Sequence, residues 1–239
     1  MAIQQTQSLE LPRPMRSRGV SVLGWVALVA LIAAEAFGFA TSVPDRDMGN
    51  LQKIMYVHVP AAWTMFIGFA IVFGASVLYL WKGEEKHDLL ASSAAEATAV
   101  FTALTLMLGS IWGKPTWGVW WTWDARLTST AVLLVIIVGY LALREFTDDD
   151  ERRAKWSAAI GILGAINVPI VYMSVRWWKT LHQIQSSPAT VDPMYALGLR
   201  LNAVAFSLVL WYFVAQRYRA ARLERETERL IEERAFNAQ

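Results

Sequence analysis

The sequence predicts an all-α protein that crosses a membrane six times. Its apolar residues gather into six blocks of about twenty, the length a helix needs to cross a hydrocarbon core of about 30 Å. These blocks are not interrupted by the polar faces that helices of a soluble domain carry. Lys and Arg are shared unevenly between the connecting segments, as in a chain with fixed orientation in a bilayer. The composition agrees, with 55% hydrophobic residues and a mean hydropathy of +0.34.

Residues 1–19 are polar and basic, with Pro12, Pro14, Arg13, Arg16 and Arg18, and read as a tail. The first apolar run, about 20–42, ends before Pro44. A basic start followed by an apolar run also describes a signal peptide. This run, however, is long, carries Glu35 and reaches no small-residue cleavage site, so it reads as a retained span. A polar loop follows to His58, two residues before the expected start of the second span at Pro60, a residue suited to a first helical turn. The second span is expected over 60–81 and the third over 90–111, joined by a short loop holding His87. The fourth is expected over 126–143 and the fifth over 156–176, with Asn167 and Pro169 inside the latter forming a kink. Asp192-Pro193 reads as a cap and first-turn proline for the sixth, 194–215, followed by a charged tail with helical pattern. The domain division is therefore an N-terminal tail (1–19), a six-helix membrane domain (20–215) and a charged C-terminal tail (216–239).

Six spans put both termini on one side. That side holds Arg13, Arg16, Arg18, Lys82, Lys86, Arg144, Arg152, Arg153, Lys155 and the arginines from Arg217 to Arg234. The other holds Arg46, Lys53, Lys114, Arg126 and Lys179. The positive-inside rule puts both termini in the cytoplasm. His58, His182 and the segment between the third and fourth spans then face outward. There is no cysteine, which excludes a disulfide framework, a thiolate metal site and a thiol nucleophile. Nucleic acid is not an expected partner.

The segment from Trp112 to Arg126 holds five of the twelve tryptophans, at 112, 117, 120, 121 and 123, with two glycines and a proline. Interfacial anchoring uses fewer, so the segment reads as a broad, flat aromatic platform on a loop. Asp124 also suits the N-cap of the fourth helix. His58 stands where a helix dipole disfavours a charged ring, and a neutral imidazole can ligate. His182 follows Trp178 by four residues, so on a helical turn the two would share a face. Two neutral imidazoles are a usual way to hold the iron of a flat macrocycle. Tryptophans would pack on its faces, and Arg126, with Lys114, would meet its carboxylates. All three histidines fall in expected loops.

Trp117-Gly-Val-Trp120-Trp121-Thr-Trp123-Asp124 resembles the "WWD" signature of haem-handling membrane proteins of cytochrome c maturation. Tyr56-Val57-His58-Val59-Pro60-Ala61-Ala62 resembles the first histidine motif of the haem exporter protein C (CcmC) branch. Asn167-Val168-Pro169-Ile170 with Trp177-Trp178-Lys179-Thr180-Leu181-His182-Gln183 resembles the second, and the likeness covers about 20–215. The resemblance implies haem b bound as cargo at the outer face of a bacterial inner membrane, with His58 and His182 as axial ligands. Trp117, Trp120, Trp121, Trp123, Asp124, Arg126, Trp177 and Trp178 would surround it. It implies delivery to a periplasmic haem chaperone, together with subunits of an ABC transporter and a small membrane subunit, without covalent catalysis by this chain. Related synthases carry further histidines within their spans, so the expected loop position of all three histidines favours delivery. The alternatives are a b-type cytochrome electron-transfer subunit, with histidines inside the spans, and a channel with aromatic outer gates.

Overall fold

The computed structural model describes residues 17–184 and 192–237, and over these it is helical, with no strand. Six helices are long and apolar enough to cross a membrane: α1 (Arg18–Thr41), α2 (Met55–Lys82), α3 (Glu85–Trp117), α4 (Ala125–Glu145), α5 (Asp150–Trp177) and α6 (Pro193–Asn237). The expected N-terminal tail lies outside the described residues up to position 16; Ser17 caps α1 by accepting from the Val20 N–H.

α2 is the hub, packed on α3, α5 and α6. Its residues Ala61, Met65, Phe69 and Val72 recur at helical spacing and are buried against Phe101, Leu133, Ile137, Val171, Phe206 and Leu210. α3 meets this core with small residues, Ala91, Ser92, Ser93, Ala94, Ala95, Ala97 and Thr98, all buried. In lipid, apolar burial does not drive helices together, so association rests on close packing that small side chains permit. The hydroxyls of Ser93, Thr98, Thr102 and Thr105 donate to carbonyls one turn back and remain satisfied. α1 packs chiefly on α6 and turns Trp25, Val29 and Ile32 outward.

The ends of the bundle differ in chemistry. One is tied by ion pairs. Arg144 of α4 donates to both carboxylate oxygens of Asp88 on α3, at 2.6 and 2.9 Å. Glu96 accepts from Arg217 at 2.6 Å, Arg225 reaches Asp150 and Glu85, and Arg229 reaches Glu85. α6 continues unbroken through the charged segment after Arg217, so that segment is a helical extension laid against α3 and α5. The other end carries His58, His182 and the tryptophans from Trp112 to Trp123 with Trp177 and Trp178.

Several boundaries differ from the sequence expectations, and the differences decide the site. α2 starts at Met55, led in by a 3-10 turn at Asn50–Ile54, so His58 lies in its first turn rather than in a loop. Pro60 is inside the helix, and the N–H it lacks leaves the Tyr56 carbonyl without its usual partner. His87 likewise falls in the first turn of α3. α3 runs on through Trp112 and Pro115 to Trp117, so the tryptophan-rich loop shortens to 118–124. Pro115 costs one intrahelical bond, while the Thr116 hydroxyl bonds the Trp112 carbonyl at 2.8 Å. α5 ends at Trp177 and residues 179–184 are not helical, so Trp178 and His182 do not share a helical face. Asn167 ties α5 to α4, its amide donating to the Ser129 carbonyl at 2.9 Å.

Candidate functional site

One cavity at the tryptophan-rich end gathers groups from α2 to α6 and from the segments that follow α3 and α5. It is lined by His58 of α2, Trp112 and Trp117 of α3, Trp121 of the following loop, Arg126 of α4, and His182 after α5. Arg200 and Tyr195 of α6 and Tyr172 of α5 add to the polar part of its wall, and Trp63, Phe66, Leu106 and Leu199 supply apolar wall.

His58 is placed by the anchoring of Tyr56 two residues earlier. The Tyr56 ring is fully buried between Gly38 of α1 and Gly198 of α6. A Cβ at either glycine would stand 3.0 or 2.6 Å from the ring, so only glycine admits it at both places. Tyr195 packs on the same ring at 5.2 Å between centroids. The His58 ring then lies against the backbone of α3, where a Cβ on Gly109 would come within 3.2 Å of Cε1. Its Nδ1 is buried and has no hydrogen-bond partner.

His182 is held from its own loop. Its Nδ1 lies 2.9 Å from the Gln183 carbonyl, a distance that suits an Nδ1–H donor and leaves the Nε2 lone pair free. Arg126 Nη1 stands 3.4 Å from the same nitrogen. Burial first, and then this guanidinium, push the His182 pKa below the ordinary histidine value, against smaller upward pulls from the Gln183 carbonyl and Asp124. The ring is therefore neutral in the range where imidazole binds metal. Trp117 meets it edge-on at 6.4 Å.

The aromatic segment is not a flat platform. Trp112 and Trp117 cross at 84°, and Trp121 and Trp123 at 81°, because edge-to-face packing suits the ring quadrupoles. Trp112 is buried at 5% exposure, whereas Trp120 and Trp123 are exposed and line no part of the cavity. Trp177 and Trp178 meet edge to face at the surface and are also absent from its lining. Asp124 stands behind the cavity wall. One of its oxygens caps α4 from the Leu127 N–H at 2.9 Å, and the other accepts from Thr180 and Leu181. Lys114 is spent on the helix end, its ammonium donating to the Gly118 carbonyl at 3.0 Å.

The wall offers more than it uses. The indole N–H groups of Trp112 and Trp121 are buried without partners. Among the described residues no carboxylate lies within ion-pair distance of Arg126. Also among them, no three His, Asp or Glu side chains gather to cage an ion. Two imidazoles with idle donors and a guanidinium suit a large ligand that brings most of its own metal coordination and its own carboxylates. Sequence reasoning counted Trp112 in the aromatic platform but not among the residues around the ligand, and left Tyr172, Tyr195 and Arg200 unassigned. Arg200 carried a usable signal, a cation two turns into an apolar span.

The sequence matches the family model described as heme exporter protein C over residues 6–233. The chain belongs to that family. It is 37% identical over 210 residues to "Heme exporter protein C" of Bradyrhizobium diazoefficiens, covering 84% of this chain and 80% of the relative. Over 190 residues it is 37% identical to the protein of the same name in Escherichia coli K12, covering 77% of each. A "Putative cytochrome c biosynthesis ccmC-like mitochondrial protein" of Marchantia polymorpha is 43% identical over 143 residues, 59% of this chain and 60% of that one. Family membership agrees with the three motifs from which the resemblance was read.

Proposed function

We propose that the chain binds haem b as cargo at the outer face of the bacterial inner membrane and presents it for c-type cytochrome biogenesis. The receiver is a periplasmic haem chaperone, and the chain works beside ABC transporter subunits and a small membrane subunit. The observation that carries this reading is that His58 and His182, from segments 124 residues apart in sequence, line one cavity beside a guanidinium with no described carboxylate in ion-pair contact. The family's name and the cytochrome c biosynthesis named for the Marchantia relative support it.

In this reading the iron of the cargo supplies two axial coordination sites. His58 and His182 fill them with neutral ring nitrogens. Arg126 pairs with a propionate, Trp117 and Trp121 pack on the macrocycle, and the buried indole N–H groups gain polar partners. The exposed Trp120, Trp123, Trp177 and Trp178, outside the cavity lining, offer apolar surface to a receiving protein. The membrane domain is 20–215 with both termini cytoplasmic, because the ion-paired end is also the arginine-rich end. The chain handles its cargo without a covalent step of its own.

The helical position of His58 bears on the electron-transfer alternative, which places histidines inside spans. His58 is in the first turn of α2 with its ring against Gly109 of α3, and His182 is in a loop, so the pair sits near one end of the bundle rather than deep within it. Cells carrying His58→Ala or His182→Ala are expected to insert the protein normally and accumulate no mature c-type cytochrome, scored by haem stain and immunoblot. Full maturation with either variant overturns the ligand assignment at that position.

A further inference from the structure

We propose that Asp124 and Thr180 are positioning residues that set His182 and Arg126 in register with one another; the inference rests on the haem-binding reading. Asp124 does not line the cavity. Its two oxygens face different elements. Oδ1 accepts from the Leu127 N–H at 2.9 Å, which caps α4. Oδ2 accepts from the Thr180 hydroxyl at 2.7 Å and the Leu181 N–H at 3.3 Å. Thr180 Oγ1 in turn accepts from the His182 N–H at 2.9 Å. One carboxylate thus joins the start of α4 to the loop that carries the imidazole, across 56 residues of sequence.

The cap alone does not require this arrangement. A helix N-cap uses one side-chain oxygen, and Ser or Asn serves as well as Asp. The second oxygen has a separate task. Arg126 stands two residues after Asp124, and His182 two residues after Thr180. The Asp124–Thr180 bond therefore fixes the distance between the group that meets a propionate and the group that meets iron. In a rigid macrocycle that distance is set by covalent structure, so a loop free to drift would satisfy one contact at the expense of the other. The non-helical segment 179–184 has no ladder of its own to hold it.

The roles separate by substitution. Thr180→Val removes the hydroxyl and keeps the shape, Thr180→Ser restores it, and Asp124→Ser keeps a cap while losing the second oxygen. Amide hydrogen exchange on the haem-free, full-length protein in nanodiscs reads the pin directly. Exchange at Leu181 and His182 is expected to rise at least tenfold in Thr180→Val and Asp124→Ser, with Leu127 protected as in wild type, and to return in Thr180→Ser. Absorption and EPR spectra of the haem-loaded forms are expected to show loss of the second histidine ligand in the same two variants and its recovery in Thr180→Ser. Unchanged exchange in Thr180→Val overturns the pin, and raised exchange with a wild-type spectrum overturns its role in ligation. If wild type itself gives no histidine-ligated spectrum, the haem-ligand reading fails, and the exchange data alone uphold or overturn the pin.

Discussion

An imidazole that ligates iron has to keep a lone pair, and the surroundings of His182 secure one. Burial is the larger cause and the Arg126 charge the second. The other charged group acting on the ring is Asp124, which pulls the other way, as does the Gln183 carbonyl. The sign follows. Replacing Arg126 by Gln removes a positive charge that disfavours the imidazolium, so the His182 pKa rises. It stays below the ordinary value of 6.5 because burial persists. Histidine NMR titration of the haem-free protein checks this, and a fall or no change in Arg126→Gln contradicts the electrostatic account. At this scale the sequence was informative about residue type and less so about role. His58, His182 and Arg126 stand on one cavity, and the capping half of Asp124 was legible from its place before an apolar run. Its other half was not, because a bond to Thr180 spans 56 residues and leaves no local pattern.

The helices themselves were legible because twenty apolar residues in a row have few other uses. Their ends were not. Pro60 has the look of a first-turn residue, yet the 3-10 turn before it lets α2 begin at Met55 and draws His58 into the helix. Gly113 and Pro115 read as loop, yet Pro115 forfeits only one bond near a helix end, and α3 continues to Trp117. That extension turns Trp112 inward and leaves a loop too short for a flat platform. At the opposite end, Arg144 and Asp88 form a largely buried bidentate pair, their side chains 14% and 11% exposed. Removing one partner strands a buried charge, so Arg144→Met is expected to destabilise by on the order of 3–5 kcal/mol. Replacing both with apolar residues of similar volume is expected to recover most of the loss, since the pair's attraction roughly offsets its desolvation. Thermal unfolding in detergent distinguishes the two, and equal losses in the single and double variants contradict this account.

Across the whole molecule, the two ends divide the labour. Ion pairs among α3, α4, α5 and α6 lock one end, and the aromatic cavity occupies the other. The orientation is directly testable, because the chain contains no cysteine and any introduced thiol is the only one. Trp123 is 82% exposed and Phe236 80%, at opposite ends. In intact cells with the outer membrane permeable, a membrane-impermeant maleimide is expected to label Trp123→Cys and to spare Phe236→Cys until the inner membrane is opened. The reverse pattern contradicts the assignment of the basic end to the cytoplasm. The central claim, that His58 and His182 together hold the cargo, is tested most directly by the absorption spectrum of purified protein beside His58→Ala and His182→Ala. A six-coordinate, bis-histidine haem spectrum in wild type, with one ligand lost in each variant, is the result expected. A wild-type spectrum retained in either variant would contradict it.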